Sequence, residues 1–132
     1  MEIQVIEGLD TGSVKIMIHN HGRSAARGVK FVVVEGDDAT YGFLPPDATL
    51  APGERRTLLT PMHPSPDSES VAVVICHDGD GYLHAWNAGG RHRRWKLTRP
   101  WNRRLSDERV TKHFYPGIDP FALNLVRHQV EP

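Results

Sequence analysis

The stretch ESVAVVICHDGDGYLHAW, residues 69 to 86, carries the clearest local structure in the chain. Two apolar runs flank Asp78, Gly79, Asp80 and Gly81, residues that tolerate positive φ, so the segment reads as a tight β-hairpin. Setting His77 opposite Tyr82 places Val73, Ile75, His77, Tyr82, His84 and Trp86 on one face. Val74, Cys76, Leu83 and Ala85 then point the other way. Both faces are largely apolar, as in a central strand covered on both sides, so periodicity does not choose the core face.

Working outward from the hairpin, the flanking sequence repeats the theme. Ile3 and Val5 alternate with polar residues, and SVKIMIHN (13–20) sets Val14, Ile16 and Ile18 against Lys15, Met17 and His19. GVKFVVVEG (28–36) is rich in β-branched residues. RRTLLT (55–60) follows the turn APGE, and RRWKL (93–97) closes the set. Seven strands punctuated by turns predict an all-β, antiparallel β-sandwich over residues 1–98. The span carries no long helical period, which argues against an α/β sheet.

Beyond Leu97 the character changes, and residues 99–132 read as a partly helical C-terminal arm. SDERVTKHF (106–114) offers Ser106 as N-cap with Asp107 and Glu108 in the first turn, where their charge favours the helix dipole. DPFALNLVRH (119–128) predicts a second helix, capped by Asp119 with Pro120 in first position and Phe121, Leu123, Leu125 and Val126 as contacts. Helices this short need a surface to lie on. That surface is either the chain's own sandwich or a neighbouring copy's, the latter giving an arm-exchanged homodimer.

With 132 residues the chain is long enough for one core without disulfides or metal. Its one cysteine, Cys76, sits in an apolar run and reads as a buried small hydrophobe. The N-terminus lacks a signal-peptide pattern, and no apolar stretch approaches the roughly 20 residues that span a bilayer. A cytoplasmic location without membrane contact is the expectation. Net charge is zero, but residues 1–90 hold six Lys or Arg against twelve Asp or Glu, and residues 91–132 hold ten against four. The halves either attract each other or face different partners.

Two pieces of the sequence resemble a known family. IHNHGRSAARGVKFVVV, with Asn20 and Gly22, and TLAPGERRTLL, with Leu50, Pro52, Gly53 and Glu54, look like the strand-end and turn motifs of bacterial immunoglobulin-like modules of the CARDB-like kind. The likeness covers residues 10–77 and implies an immunoglobulin-like sandwich used as a spacer or binding module. HDGDGYLHAW stands where that family has an acidic, Asn-rich end, so adhesion or export is not carried over.

The chemistry-bearing residues assemble no familiar catalytic set. His19 and His21 sit at a strand end and His77 with His84 on a hairpin face, yet no HExxH, CxxC or carboxylate cluster joins them. Asp78 would open a calcium loop whose twelfth position is Gly89 rather than Glu, so the calcium reading fails. No GxSxG elbow, P-loop or GxGxxG is present. We therefore expect no metal, no cofactor and no catalytic residues; a small enzyme using His77, Tyr82, His84 and Trp86 is the least favoured reading.

The richest segment is RHRRWKLTRPWNRR (91–104), with Arg91, Arg93, Arg94, Lys96, Arg99, Arg103 and Arg104 but no acidic residue. Alternation sends Arg93, Trp95 and Leu97 to one face and Arg94, Lys96 and Thr98 to the other, before Pro100 stops the strand and Trp101 extends the surface. In the plainest reading the cations guard an edge strand or contact Glu35, Asp37, Asp38, Asp78 or Asp80, and Trp101 seals the sandwich. Functionally, Arg and Trp suit the centre of a protein interface, and they also suit phosphates and bases. The expectation is a non-catalytic module that binds another protein or itself through this segment together with Phe121, Leu123 and Leu125 of the arm. Nucleic-acid binding is the alternative.

Overall fold

The computed structural model describes residues 1–10, 13–35, 38–43, 48–59, 70–87, 90–102, 105–114 and 124–129. Strands β1 (Ile3–Asp10), β2 (Ser13–Asn20) and β6 (Arg55–Leu59) form a three-stranded antiparallel sheet in the order β1-β2-β6. The larger sheet runs β10-β4-β3-β7-β8-β9, built from β3 (Ala26–Glu35), β4 (Asp38–Phe43), β7 (Ser70–His77), β8 (Tyr82–Asn87), β9 (His92–Lys96) and β10 (Asn124–Gln129). The short β5 (Thr49–Leu50) pairs with β3. A 3₁₀ turn (Pro100–Asn102) and helix α1 (Asp107–Phe114) follow β9.

Two apolar layers explain why the central hairpin is hydrophobic on both sides. Between the sheets, Ile3, Val5, Ile16 and Ile18 meet Phe31, Leu50, Val74, Cys76 and Trp86. On the opposite face of the large sheet, Val32, Val73, Ile75, Leu83 and Ala85 are covered by Val110 and Phe114 of α1, with Trp95, Leu97 and Leu105 at the margin. Ala72 through Cys76 are wholly buried, as a strand covered on both sides must be. The molecule is an all-β sandwich carrying a helix on its outer face.

The hairpin register departs from the expected one. Cα pairing runs His77↔Leu83, Cys76↔His84 and Val74↔Trp86, so His77 does not face Tyr82. The cause is a three-residue loop. The Asp78 N–H donates to the Tyr82 carbonyl at 3.1 Å, the Asp78 carboxylate accepts the N–H groups of Asp80 and Tyr82, and Gly81 takes a φ of 84° that an L side chain resists. A one-residue shift exchanges faces, so His84 and Trp86 lie with Val74 and Cys76 on the inter-sheet side.

Helix α1 forms as its sequence predicts. Ser106 Oγ accepts the Arg109 N–H, and Lys30 on β3 pairs with Asp107 at 2.8 Å, tying the first turn to the sheet. This helix seats on the chain's own sheet. The second expected helix is corrected: residues 124–129 are strand β10, parallel to β4 in register Asn124↔Asp38, and Asp119 and Pro120 lie outside the described residues. The β10–β4 pair is also the exception to an otherwise antiparallel sandwich. A marginal helix signal yields where a strand edge offers main-chain hydrogen bonds.

Asn20 joins the corners of the small sheet. Its side chain, fully buried, donates to the Ser24 and Leu50 carbonyls and accepts the Gly22 N–H, while its main chain bonds Gly53 and Glu54. At Gly22 a Cβ would stand 2.4 Å from Met1 Cα, so only glycine lets β1 enter here. No helix among the described residues is long and apolar enough to cross a membrane.

Candidate functional site

Strand β9 is the last strand of the large sheet, and its ladder parity decides what it shows to solvent. The Leu97 N–H donates to the Gly81 carbonyl and the Arg91 carbonyl accepts the Asn87 N–H. Odd-numbered residues of β9 therefore spend their main-chain groups on β8, and those of His92, Arg94 and Lys96 point outward. Lys96 is partly closed off, since its carbonyl accepts the Arg99 N–H and Asn102 Nδ2.

The same parity makes Tyr82↔Lys96, His84↔Arg94 and Trp86↔His92 the closer, non-hydrogen-bonded pairs. Side chains there meet in an ordered stack. Trp86 lies against His92 at 4.4 Å with planes 5° apart and against His84 at 5.3 Å and 8°. His84 Nε2 sits 2.6 Å from Asp78 Oδ2, and His84 Nδ1 sits 2.9 Å from His92 Nε2. With Asp78 ionised, His84 donates to it, and one proton is shared between His84 and His92.

Burial pushes the Asp78 carboxyl up, but hydrogen bonds from His84, Tyr82 and Asp80 outweigh it and hold the group below the usual carboxylate range. His92 is held below its ordinary value by burial, then by the nearby His84 and Arg94. Burial, with the Asp78 charge behind it, pushes the Cys76 thiol up to about 12.

The arginines are laid on aromatic faces. Arg94 lies over Tyr82 at 4.8 Å, Arg93 over Trp95 at 5.5 Å, Arg99 over Trp101 at 5.4 Å and Arg91 over Phe114 at 5.6 Å. Arg93 also contacts the His113 ring at 2.7 Å. Burial followed by Arg93 and Arg91 keeps His113 low. Among the described residues, no carboxylate ion-pairs with Arg91, Arg93, Arg94, Lys96 or Arg99. Among the described residues the anticipated contact with the Asp78 turn is not made, and Asp78 is committed to His84. Tyr82, Arg94, Trp95, Lys96, Arg99 and Trp101 line an open cleft of about 560 Å³. Trp101 is 72% exposed and does not seal the sandwich.

The expected site residues thus separate into two groups. Arg93, Arg94, Trp95, Lys96, Arg99 and Trp101 come together around one cleft on β9 and the turn behind it, while Arg91, just before β9, lies over Phe114 on the helix side. Leu125 lies in β10, at the opposite edge of the same sheet, so the structure does not join it to the basic segment. Arg103, Arg104, Phe121 and Leu123 lie outside the described residues, as does Asp37. The His77, Tyr82, His84 and Trp86 face divides, since His77 lies on the helix side near Lys30 and Asp107, where burial and then Lys30 hold its ring below its ordinary value. Sequence reasoning missed the Asp78–His84–His92 chain, whose signal is the eight-residue spacing of the two histidines once the β8–β9 register is known. Among the described residues, no group of three His, Cys, Asp or Glu side chains is placed to hold a metal ion. His19 and His21 do lie together, their rings 3.8 Å apart, but His21 is bonded to Gln4.

No protein-family model matches the sequence, and no curated protein matches it. Among solved structures, the chain has a slight similarity to one described as the X-ray structure of Northeast Structural Genomics Consortium target SoR45. The two are 12% identical over 80% of this chain and 86% of that one, with a TM-score of 0.28, too low to carry any argument.

Proposed function

We propose that the chain is a non-catalytic protein-binding module whose contact surface is β9 with the turn behind it. The observation that carries this reading is a row of cations without carboxylate partners among the described residues, beside an exposed tryptophan at the outer edge of a sheet. The guanidinium groups are held against Tyr82, Trp95 and Trp101, which lowers the ordering cost on binding. Arg and Trp in such a setting are favoured at interface centres.

Nucleic acid fits this surface less well. Single-strand binders offer open ring planes for bases, whereas Arg94 and Arg99 already cover faces of Tyr82 and Trp101. A catalytic role for His84 is disfavoured because both its ring nitrogens are engaged.

The test is capture of partners by the tagged chain from its native lysate after nuclease treatment, beside an Arg93→Glu, Arg94→Glu, Trp101→Ala variant. A protein retained by the parent and lost by the variant, with the variant's melting temperature preserved, supports the module. Material that disappears with nuclease transfers the surface to nucleic acid.

A further inference from the structure

Among the described residues the outer side of β9 is an unpaired ladder as well as a charged surface, and the two properties together specify a binding mode. Among the described residues no strand pairs with β9 except β8. The N–H and C=O of His92 and Arg94, and the N–H of Lys96, point away from β8 by the parity that the Leu97 and Arg91 hydrogen bonds fix. An unpaired ladder of this kind is a template for another strand.

Charge decides which strand. A second β9 laid antiparallel on the first would set arginine and lysine against arginine and lysine, directly or diagonally, and like charges there are destabilising. The same cations that bar a second copy welcome carboxylates at alternate positions of a foreign strand, opposite Arg94 and Lys96. Asn102 and the 3₁₀ turn close one end of the ladder at the Lys96 carbonyl, so the groove is short.

We infer that β9 binds an acidic, extended segment of a partner protein by strand addition, main chain to main chain along His92 and Arg94, with alternate carboxylates facing the basic side chains. This rests on the protein-binding reading and adds the partner's chemistry and docking geometry. Main-chain hydrogen bonds supply the directional attraction and the cations select the sequence.

The probe is an eight-residue capped peptide alternating Glu and Thr, compared with two analogues, one N-methylated at every Glu and the other at every Thr. Only one set of N–H groups can face β9 in a strand pair, because main-chain direction alternates along the peptide. Strand addition predicts that one analogue keeps the parent affinity and the other loses at least tenfold, while Arg94→Glu weakens the parent peptide. Equal affinities of the two analogues, or failure of the unmethylated peptide to bind, overturn strand addition. Because the nuclease-treated capture does not depend on peptide geometry, a retained partner alongside equal analogues rejects this docking mode and leaves the protein-binding reading standing.

Discussion

Asn20 shows how much one side chain can hold. Three hydrogen bonds from a fully buried amide connect the end of β2, the turn at Ser24 and the carbonyl of Leu50. Replacing it with alanine strands buried main-chain groups, so Asn20→Ala should cost about 3 kcal/mol in urea unfolding. The sequence marked Asn20 and Gly22 as a motif but could not show that the amide reaches Leu50, thirty residues away. Trp101 is the contrasting residue. With 72% of its surface exposed, Trp101→Ala should shift stability by less than about 0.5 kcal/mol while weakening partner capture, a split that thermal melting and capture measured together will reveal.

At the scale of elements, the sequence was legible where neighbouring residues decide the outcome. The alternation in β2, β7 and β8 and the Ser106 cap of α1 are local signals, and those elements form. β4 and β5 were missed because DATYGF and Thr49–Leu50 carry weak strand signals and owe their state to pairing with β3. The helix pattern of residues 119–128 carries no sign of β10 because its pairing partner, β4, lies more than eighty residues earlier. The hairpin register failed on a single loop residue, and with it the Asp78–His84–His92 chain was hidden. Helix α1 should prove to be part of the cooperative fold: Phe114 is 4% exposed on the outer face of the sheet, so Phe114→Ala should cost about 3–5 kcal/mol. Loss of the helical circular-dichroism signal together with the sheet signal, in one denaturant transition, checks this.

For the whole molecule, the shifted histidines and Asp78 point the same way. His77, His92 and His113 are each held below the ordinary 6.5, so the unfolded chain takes up protons more readily than the native one. Their contribution to stability is complete above pH 6.5 and is lost as pH falls through the native values. Asp78, held below 3.8, contributes stability above that value and loses it as pH falls further. The melting temperature should therefore decline between pH 7.5 and 5, with a second fall below pH 4. His92→Asn combined with His77→Gln should flatten the first decline. A melting temperature that rises from pH 7.5 to 5 in the parent chain would contradict the arrangement.

Among the described residues β9 ends the large sheet, with its outer ladder unpaired and Arg94 and Lys96 beside it. Backbone amide hydrogen exchange of the isolated protein, read residue by residue by NMR, tests it most directly. Alternation is expected: the Arg93, Trp95 and Leu97 amides protected by β8, and those of His92, Arg94 and Lys96 exchanging rapidly. Uniform protection along β9 would mean that its outer edge is already covered, and the binding surface described here would not exist.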